Sequence, residues 1–167
     1  MNASTQEQEL DKFARMADQW WDPQGPMRPL HDINPLRLDY VAERAPLDGA
    51  LVADIGCGAG IFSEALAGRG ASVTGTDLAQ PMIEVARAHA RESGLDIDYQ
   101  CISSRDLAAR RRGEFDLVTC MELLEHVDEP AAVIDDCAQL LRPGGTAIFS
   151  TINRNAKAWL LAIAGAE

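Results

Sequence analysis

Three groups of residues in this 167-residue chain have types and spacings that chemistry could use. The first is Asp54-Ile55-Gly56-Cys57-Gly58-Ala59-Gly60. Alternating glycines let a backbone turn tightly and approach a ligand, because no Cβ stands in the way. Alone, such a run is weak evidence, since structural turns use glycine as well. The second is Asp77, about 20 residues beyond the first glycine, where a carboxylate can accept hydrogen bonds from both hydroxyls of a ribose. The plainer reading of Asp77 is a cap for the helix after it. The third group is Glu122, Glu125 and His126. Spaced i, i+3 and i+4, they share one face if that stretch is helical. Two carboxylates and an imidazole could hold a divalent ion, or His126 alone could serve as a base. A capped, solvated helix start is the plainer alternative.

The loop itself discriminates between ligands. A dinucleotide loop reads G-x-G-x-x-G, with glycines suited to a pyrophosphate on a helix N-terminus. Here the sixth position is Ile61, and an acid, Asp54, precedes the first glycine. A carboxylate is unfavourable beside a pyrophosphate. It suits a ligand carrying positive charge, such as the sulfonium or amino group of S-adenosylmethionine. Asp54, Gly56, Gly58, Gly60 and Asp77 are therefore expected on a methyl donor rather than on a nicotinamide cofactor.

Such a site needs strands and helices to carry it. Compact apolar runs predict strands at 51–55, 71–76, 97–100, 115–120 and 145–151, and helical spacing predicts helices at 60–68, 80–93 and 130–141. Strands alternating with helices predict an α/β fold, a doubly wound and mostly parallel sheet with helices on both faces. Ahead of it, Leu10, Phe13, Ala14, Ala17, Trp20 and Trp21 recur at helical spacing. Such a stripe packs on the body of its own domain or, more sharply read, walls a site. A short helix is expected from Pro35 with Asn34 as its cap. Residues 1–49 thus read as a helical segment covering the site and 50–167 as the α/β domain. Gly144 and Gly145 turn the chain into the fifth strand. The apolar stretch 156–164 has helical character, and a sheet ending on its fifth strand reads as incomplete at the C-terminal side.

Composition bounds the partners. A formal charge of −11 and a pI near 4.6 repel phosphate backbones, which argues against nucleic acid as a partner, so none is expected. The basic run Arg110-Arg111-Arg112 stands beside Glu114 and Asp116 and reads as a helix end or solvated loop. Cys57, Cys101, Cys120 and Cys137 show no C-x-x-C spacing and read as free thiols packed as small hydrophobes. His31 and His89 read as satisfied or exposed histidines. No signal-peptide profile opens the chain and no run of apolar residues is long enough to span a bilayer.

The chain resembles the class I S-adenosylmethionine-dependent methyltransferases and, more closely, the bacterial ubiquinone-biosynthesis O-methyltransferase family. D-I-G-C-G-A-G at 54–60 and L-R-P-G-G at 141–145 belong to methyltransferases at large. F-x-x-M-A-D-Q-W-W-D at 13–22, P-L-H-D-I-N-P-L-R-L-D-Y at 29–40, T-G-T-D at 74–77, V-T-C-M-E-L-L-E-H-V at 118–127 and F-S-T-I-N-R-N at 149–155 complete the match. The resemblance implies donor contacts at Arg37, Gly56, Asp77 and Met121. Arg37 would pair with the donor carboxylate and Met121 would lie against the adenine. Mitochondrial relatives hold a magnesium-type ion at positions matching Glu122, Glu125 and His126, which implies Mg2+ here. The implied acceptors are polyprenylated catechol-type phenols, 2-polyprenyl-6-hydroxyphenol and 3-demethylubiquinol, near Asn153, Arg154 and Asn155. They imply a cytoplasmic protein working at the inner face of the membrane, with a ubiquinone-biosynthesis complex as partner; the apolar tail from Ala158 reads equally as a core helix or as a segment approaching the bilayer. Two alternatives fit the same residues: another class I methyltransferase of a soluble metabolite, and a donor-binding scaffold that transfers no methyl group.

Overall fold

The structure, a computed structural model, describes residues 15–151. Strands β1 (Leu51–Ile55), β2 (Ser72–Thr76), β3 (Asp98–Gln100), β4 (Phe115–Met121) and β5 (Leu141–Ser150) form one sheet in the order β3-β2-β1-β4-β5. Every neighbouring pair is parallel. The helices are α1 (Arg28–Ala42), α2 (Ile61–Ala67), α3 (Gln80–Glu92), α4 (Ser104–Arg110) and α5 (Pro130–Leu140). This is the doubly wound arrangement that the alternating pattern predicts.

The strands read as near-continuous apolar runs because both sheet faces are covered. Val52 and Leu117 pack with Val41, Phe62 and Leu66, beneath α1 and α2. Their neighbours Ala53 and Val118 point the other way, to Leu107, Cys137 and Leu140 beneath α4 and α5. On α3, buried Met82, Ile83, Ala86 and Ala90 trace one helical stripe. Three of these residues, Ile83, Ala86 and Ala90, meet Cys57 and Tyr99. The strand order reverses between β1 and β4, and open α/β sheets bind ligands at the carboxyl ends of strands at such a reversal.

Four local expectations need correction. α1 starts at Arg28 rather than Pro35, with Pro29 in its first turn and Pro35 inside it. Pro35 removes one backbone donor. The helix continues because Val41 is fully buried in the core and Asn34 Nδ2 ties to the Ile61 carbonyl at 3.3 Å instead of capping. α4 was not anticipated; Ser103 caps it, its Oγ accepting from the Asp106 backbone N–H. β5 begins at Leu141, directly after α5, and its register with β4 shifts between Phe115 and Leu117. The stretch carrying Glu122, Glu125 and His126 is a turn, not a helix.

Of the leading segment, residues 15–21 are described and end in a 3-10 turn at Ala17–Gln19. The beginning of that stripe, Asn153, Arg154 and Asn155, the stretch 156–164 and the tail from Ala158 lie outside the described residues. Arg110 closes α4, Arg111 pairs with Glu114 at 2.7 Å, and Arg112 donates to Gln139, so the basic run is a helix end with local partners. All four cysteines are free thiols.

Candidate active site

A cavity of about 690 Å³ opens at the carboxyl ends of β1 and β4, the size of a small-molecule site. Asp54, Gly56, Gly58, Asp77, Met121, Glu122 and His126 line it, with Asn34 and Arg37 from α1 and Trp20 from the leading segment. One site thus collects most of the residues singled out from sequence. Gly60 and Glu125 are not among its lining residues.

The glycine loop leaves β1 with backbone N–H groups of Gly56 and Cys57 on the Thr76 carbonyl, at 2.8 and 2.9 Å. Gly58 has φ +55, and a Cβ there would stand 2.9 Å from the Trp20 ring. The tryptophan therefore packs directly on the bare backbone. Gly60 has a different reason. At φ +92 it starts α2, and a Cβ would run into the Tyr99 hydroxyl from β3. Its glycine serves helix–strand packing rather than a ligand approach.

Asp77, just past β2, holds this loop from the side. Its Oδ2 accepts from the Gly58 N–H at 3.0 Å and its Oδ1 from the Ala79 N–H at 2.8 Å. Burial raises its pKa, while those backbone donors pull it down. The helix-capping role and the ligand-facing role are not exclusive here: the carboxylate does the first and still lines the cavity. Each oxygen retains a second lone-pair direction for a hydroxyl donor.

Asp54 reaches the cavity from beneath the loop. It is 2% exposed, and its two oxygens accept from Ser63 Oγ at 2.6 Å and Thr119 Oγ1 at 2.7 Å. Burial pushes its pKa up to about 6 against those two hydrogen bonds and the Arg37 charge. The acid acts on the cavity chiefly as a buried charge beneath the loop.

Arg37 is largely buried and pairs with Glu122. Glu122 also accepts from Ser150 Oγ at 2.6 Å, and it adopts a left-handed backbone, φ +49. Ser150 Oγ lies 3.1 Å from the Met121 sulfur as well. Glu125 accepts from Thr151 Oγ1 at 2.8 Å. The turn is not helical, so the i, i+3 and i+4 spacing does not bring the three predicted metal ligands onto one face of a helix. Among the described residues no group of three His, Cys, Asp or Glu side chains could hold a metal ion. The side chains as placed therefore give the Mg2+ expectation no support.

Several cavity residues carried no sequence signal of their own. Trp20 was legible only as part of an apolar stripe. Its neighbour Trp21 donates Nε1–H to the Ala59 carbonyl at 2.9 Å and stacks on His89 at 3.4 Å between ring centroids. His89 meets Glu64 at 2.8 Å and His31 meets the Trp20 carbonyl at 2.9 Å, so both histidines are satisfied. Ser103, Ser104 and Arg105 reach the cavity because Ser103 caps α4 at its edge. The S-x-x-D spacing of Ser103 and Asp106 was the available signal.

The sheet order, the glycine loop at its reversal and the acid beyond β2 together define a methyltransferase-type domain. A methyltransferase domain family model matches residues 53–149. The ubiquinone biosynthesis O-methyltransferase of Thiobacillus denitrificans is 56% identical over 159 residues, covering 95% of this chain and 68% of that protein. That of Chromobacterium violaceum is 53% identical over 165 residues, covering 99% and 71%. The chain belongs to the ubiquinone biosynthesis O-methyltransferase family. It spans about two thirds of the length of these relatives. Among solved structures, magnesium protoporphyrin IX methyltransferase from Synechocystis PCC 6803 with bound SAM superposes with a TM-score of 0.75 at 23% identity, over 99% of this chain and 86% of that one. That likeness shows the fold.

Proposed function

We propose that this chain binds S-adenosylmethionine in the cavity at the β1/β4 reversal and belongs to an enzyme that methylates a phenolic oxygen. The observation that carries the reading is one cavity lined by the bare backbone of Gly56 and Gly58, the Asp77 carboxylate and the buried charge of Asp54. Asp77 would take the ribose hydroxyls, Met121 would lie against the adenine, and Arg37 would meet the donor carboxylate.

The reaction is an in-line displacement. An acceptor oxygen attacks the methyl carbon, the carbon–sulfur bond breaks, and its electron pair leaves on a neutral thioether. The donor brings its own activation, so the protein must align the partners and remove the phenol proton. His126 lines the same cavity and is the base we assign. The acceptor we assign is a polyprenylated catechol-type phenol, 2-polyprenyl-6-hydroxyphenol or 3-demethylubiquinol; the relatives' names support O-methylation within ubiquinone biosynthesis. Such an acceptor would place the work at a membrane surface and beside other enzymes of the same biosynthesis. Among the described residues no helix is long and apolar enough to cross a membrane.

Calorimetric titration with S-adenosylmethionine, followed by methyl transfer to a prenylated catechol, tests the reading. Binding that Asp77→Ala weakens at least about tenfold is expected from losing charge-assisted hydrogen bonds. Equal binding by parent and variant would sink the ribose assignment. Donor binding without transfer to any phenol would favour the scaffold alternative.

A further inference from the structure

Among the described residues, two buried side-chain polar atoms have no hydrogen-bond partner: Asn34 Oδ1 and Arg37 Nε. Both belong to α1, and their i, i+3 spacing puts them on one face of it. Both residues line the cavity, as do Gly56, Cys57 and Gly58. Buried polar groups almost always find partners, and leaving one without costs the desolvation of that group. Here one orphan is a neutral acceptor and the other a donor on a cation.

The chemistry of each is fixed by what its other atoms do. Asn34 Nδ2 donates to the Ile61 carbonyl at 3.3 Å. Exchanging its nitrogen and oxygen would set two carbonyl oxygens against each other, so Oδ1 is the open atom. Arg37 Nη2 is held by Glu122, whose other oxygen is held by Ser150, and this leaves the Nε edge of the guanidinium. An acceptor and a cationic donor three residues apart match the two ends of an α-amino acid, an ammonium and a carboxylate.

We propose that Asn34 is a donor-binding residue that accepts from the α-ammonium of the methionyl end, while the Nε edge of Arg37 takes the adjacent α-carboxylate with its Glu122 pair intact. The proposal rests on the S-adenosylmethionine reading above and adds to it the group that reads the amine. Asn34 thereby distinguishes a full amino-acid end from a nucleoside that lacks one.

The test is calorimetric titration of the parent chain, Asn34→Ala and Asn34→Asp with three ligands. These are S-adenosylhomocysteine, its analogue without the α-amino group, and 5′-methylthioadenosine. The parent is expected to prefer S-adenosylhomocysteine over the deaminated analogue by about tenfold or more, the size of a hydrogen bond to a charged group. Asn34→Ala is expected to lose that preference and to bind the other two ligands as the parent does. Asn34→Asp keeps an acceptor but not the donor to Ile61, and is expected to keep the preference. A parent with no preference overturns the proposal without any variant. So does an Asn34→Ala chain that weakens all three ligands equally, or an Asn34→Asp chain that loses the preference as the alanine does. A parent that binds none of the three refutes the underlying donor reading, and the two failures are thereby distinct.

Discussion

Asp54 carries a carboxylate where the fold alone would favour an uncharged group. Its pKa of about 6 in the folded chain stands above its ordinary value of 3.8, with burial the leading cause. The folded state therefore holds a proton that the unfolded state releases first, and stability falls as pH rises from about 4 to 6. The difference amounts to roughly 3 kcal/mol, retained below that window and lost above it. Asp54→Asn keeps an oxygen for one hydroxyl and offers an amide donor to the other, since both Ser63 and Thr119 can reorient. Denaturant titrations at pH 8 are expected to show the variant more stable by about 1–3 kcal/mol, with its slope between pH 4 and 6 reduced. Its affinity for a sulfonium ligand is expected to fall, because the buried negative charge is gone. An unchanged slope would mean that Asp54 is not the titrating group. The position of this acid was legible from its place before the glycines, as Asp77 was from its spacing. Their partners were not: Ser63 and Thr119 come from α2 and β4, and nothing local in the sequence links them to residue 54.

At the scale of elements, the glycine loop is held by two unlike constraints. Gly58 must admit Trp20, and Gly60 must admit Tyr99 while turning left-handed into α2. A methyl group at Gly60 meets a buried ring from β3, and the ring has Gly75 behind it. Gly60→Ala is expected to destabilise the chain by about 2–4 kcal/mol, from overpacking and positive φ together. Equilibrium denaturation is the measurement. Gly60→Ala combined with Tyr99→Ala is expected to cost less than the sum of the two single changes, because they relieve the same collision. Strict additivity would place the strain elsewhere. The elements that sequence patterning found well, β1, β2, α3 and β4, are those whose period the buried faces enforce. α4 escaped because its buried residues, Leu107 and Ala108, are adjacent and show no helical period, although its Ser103 cap was written in the chain. Ser103→Ala is expected to cost about 1 kcal/mol by the same measurement, and Ser103→Asp close to nothing. α1 begins seven residues before Pro35, because a proline after an asparagine locally suits a capped helix start, while burial of Val41 and the Asn34–Ile61 tie act from a distance.

Across the whole molecule, the cavity joins parts that are far apart in sequence: the leading segment through Trp20, α1 through Asn34 and Arg37, and the tips of β1, β2 and β4. A ligand held there contacts the folded chain at points that all separate on unfolding, so its binding free energy adds to global stability. At a ligand concentration of about a hundred times Kd the gain is about 2.7 kcal/mol. In a domain of this size that raises the melting temperature by roughly 5–11 °C. S-adenosylhomocysteine is the ligand of choice, since it lacks the labile sulfonium. A scan at increasing concentration is expected to give a melting temperature that climbs with the logarithm of concentration. The Asp77→Ala chain is expected to show the same unliganded behaviour apart from the loss of its ties to Gly58 and Ala79, and a smaller climb at each concentration. Because Trp20 packs on Gly58, tryptophan emission is expected to change over the same concentration range. A ligand that shifts emission without raising the melting temperature would be binding a partly open chain as well as the folded one, and the cavity would not be the closed joint between segments that its lining describes.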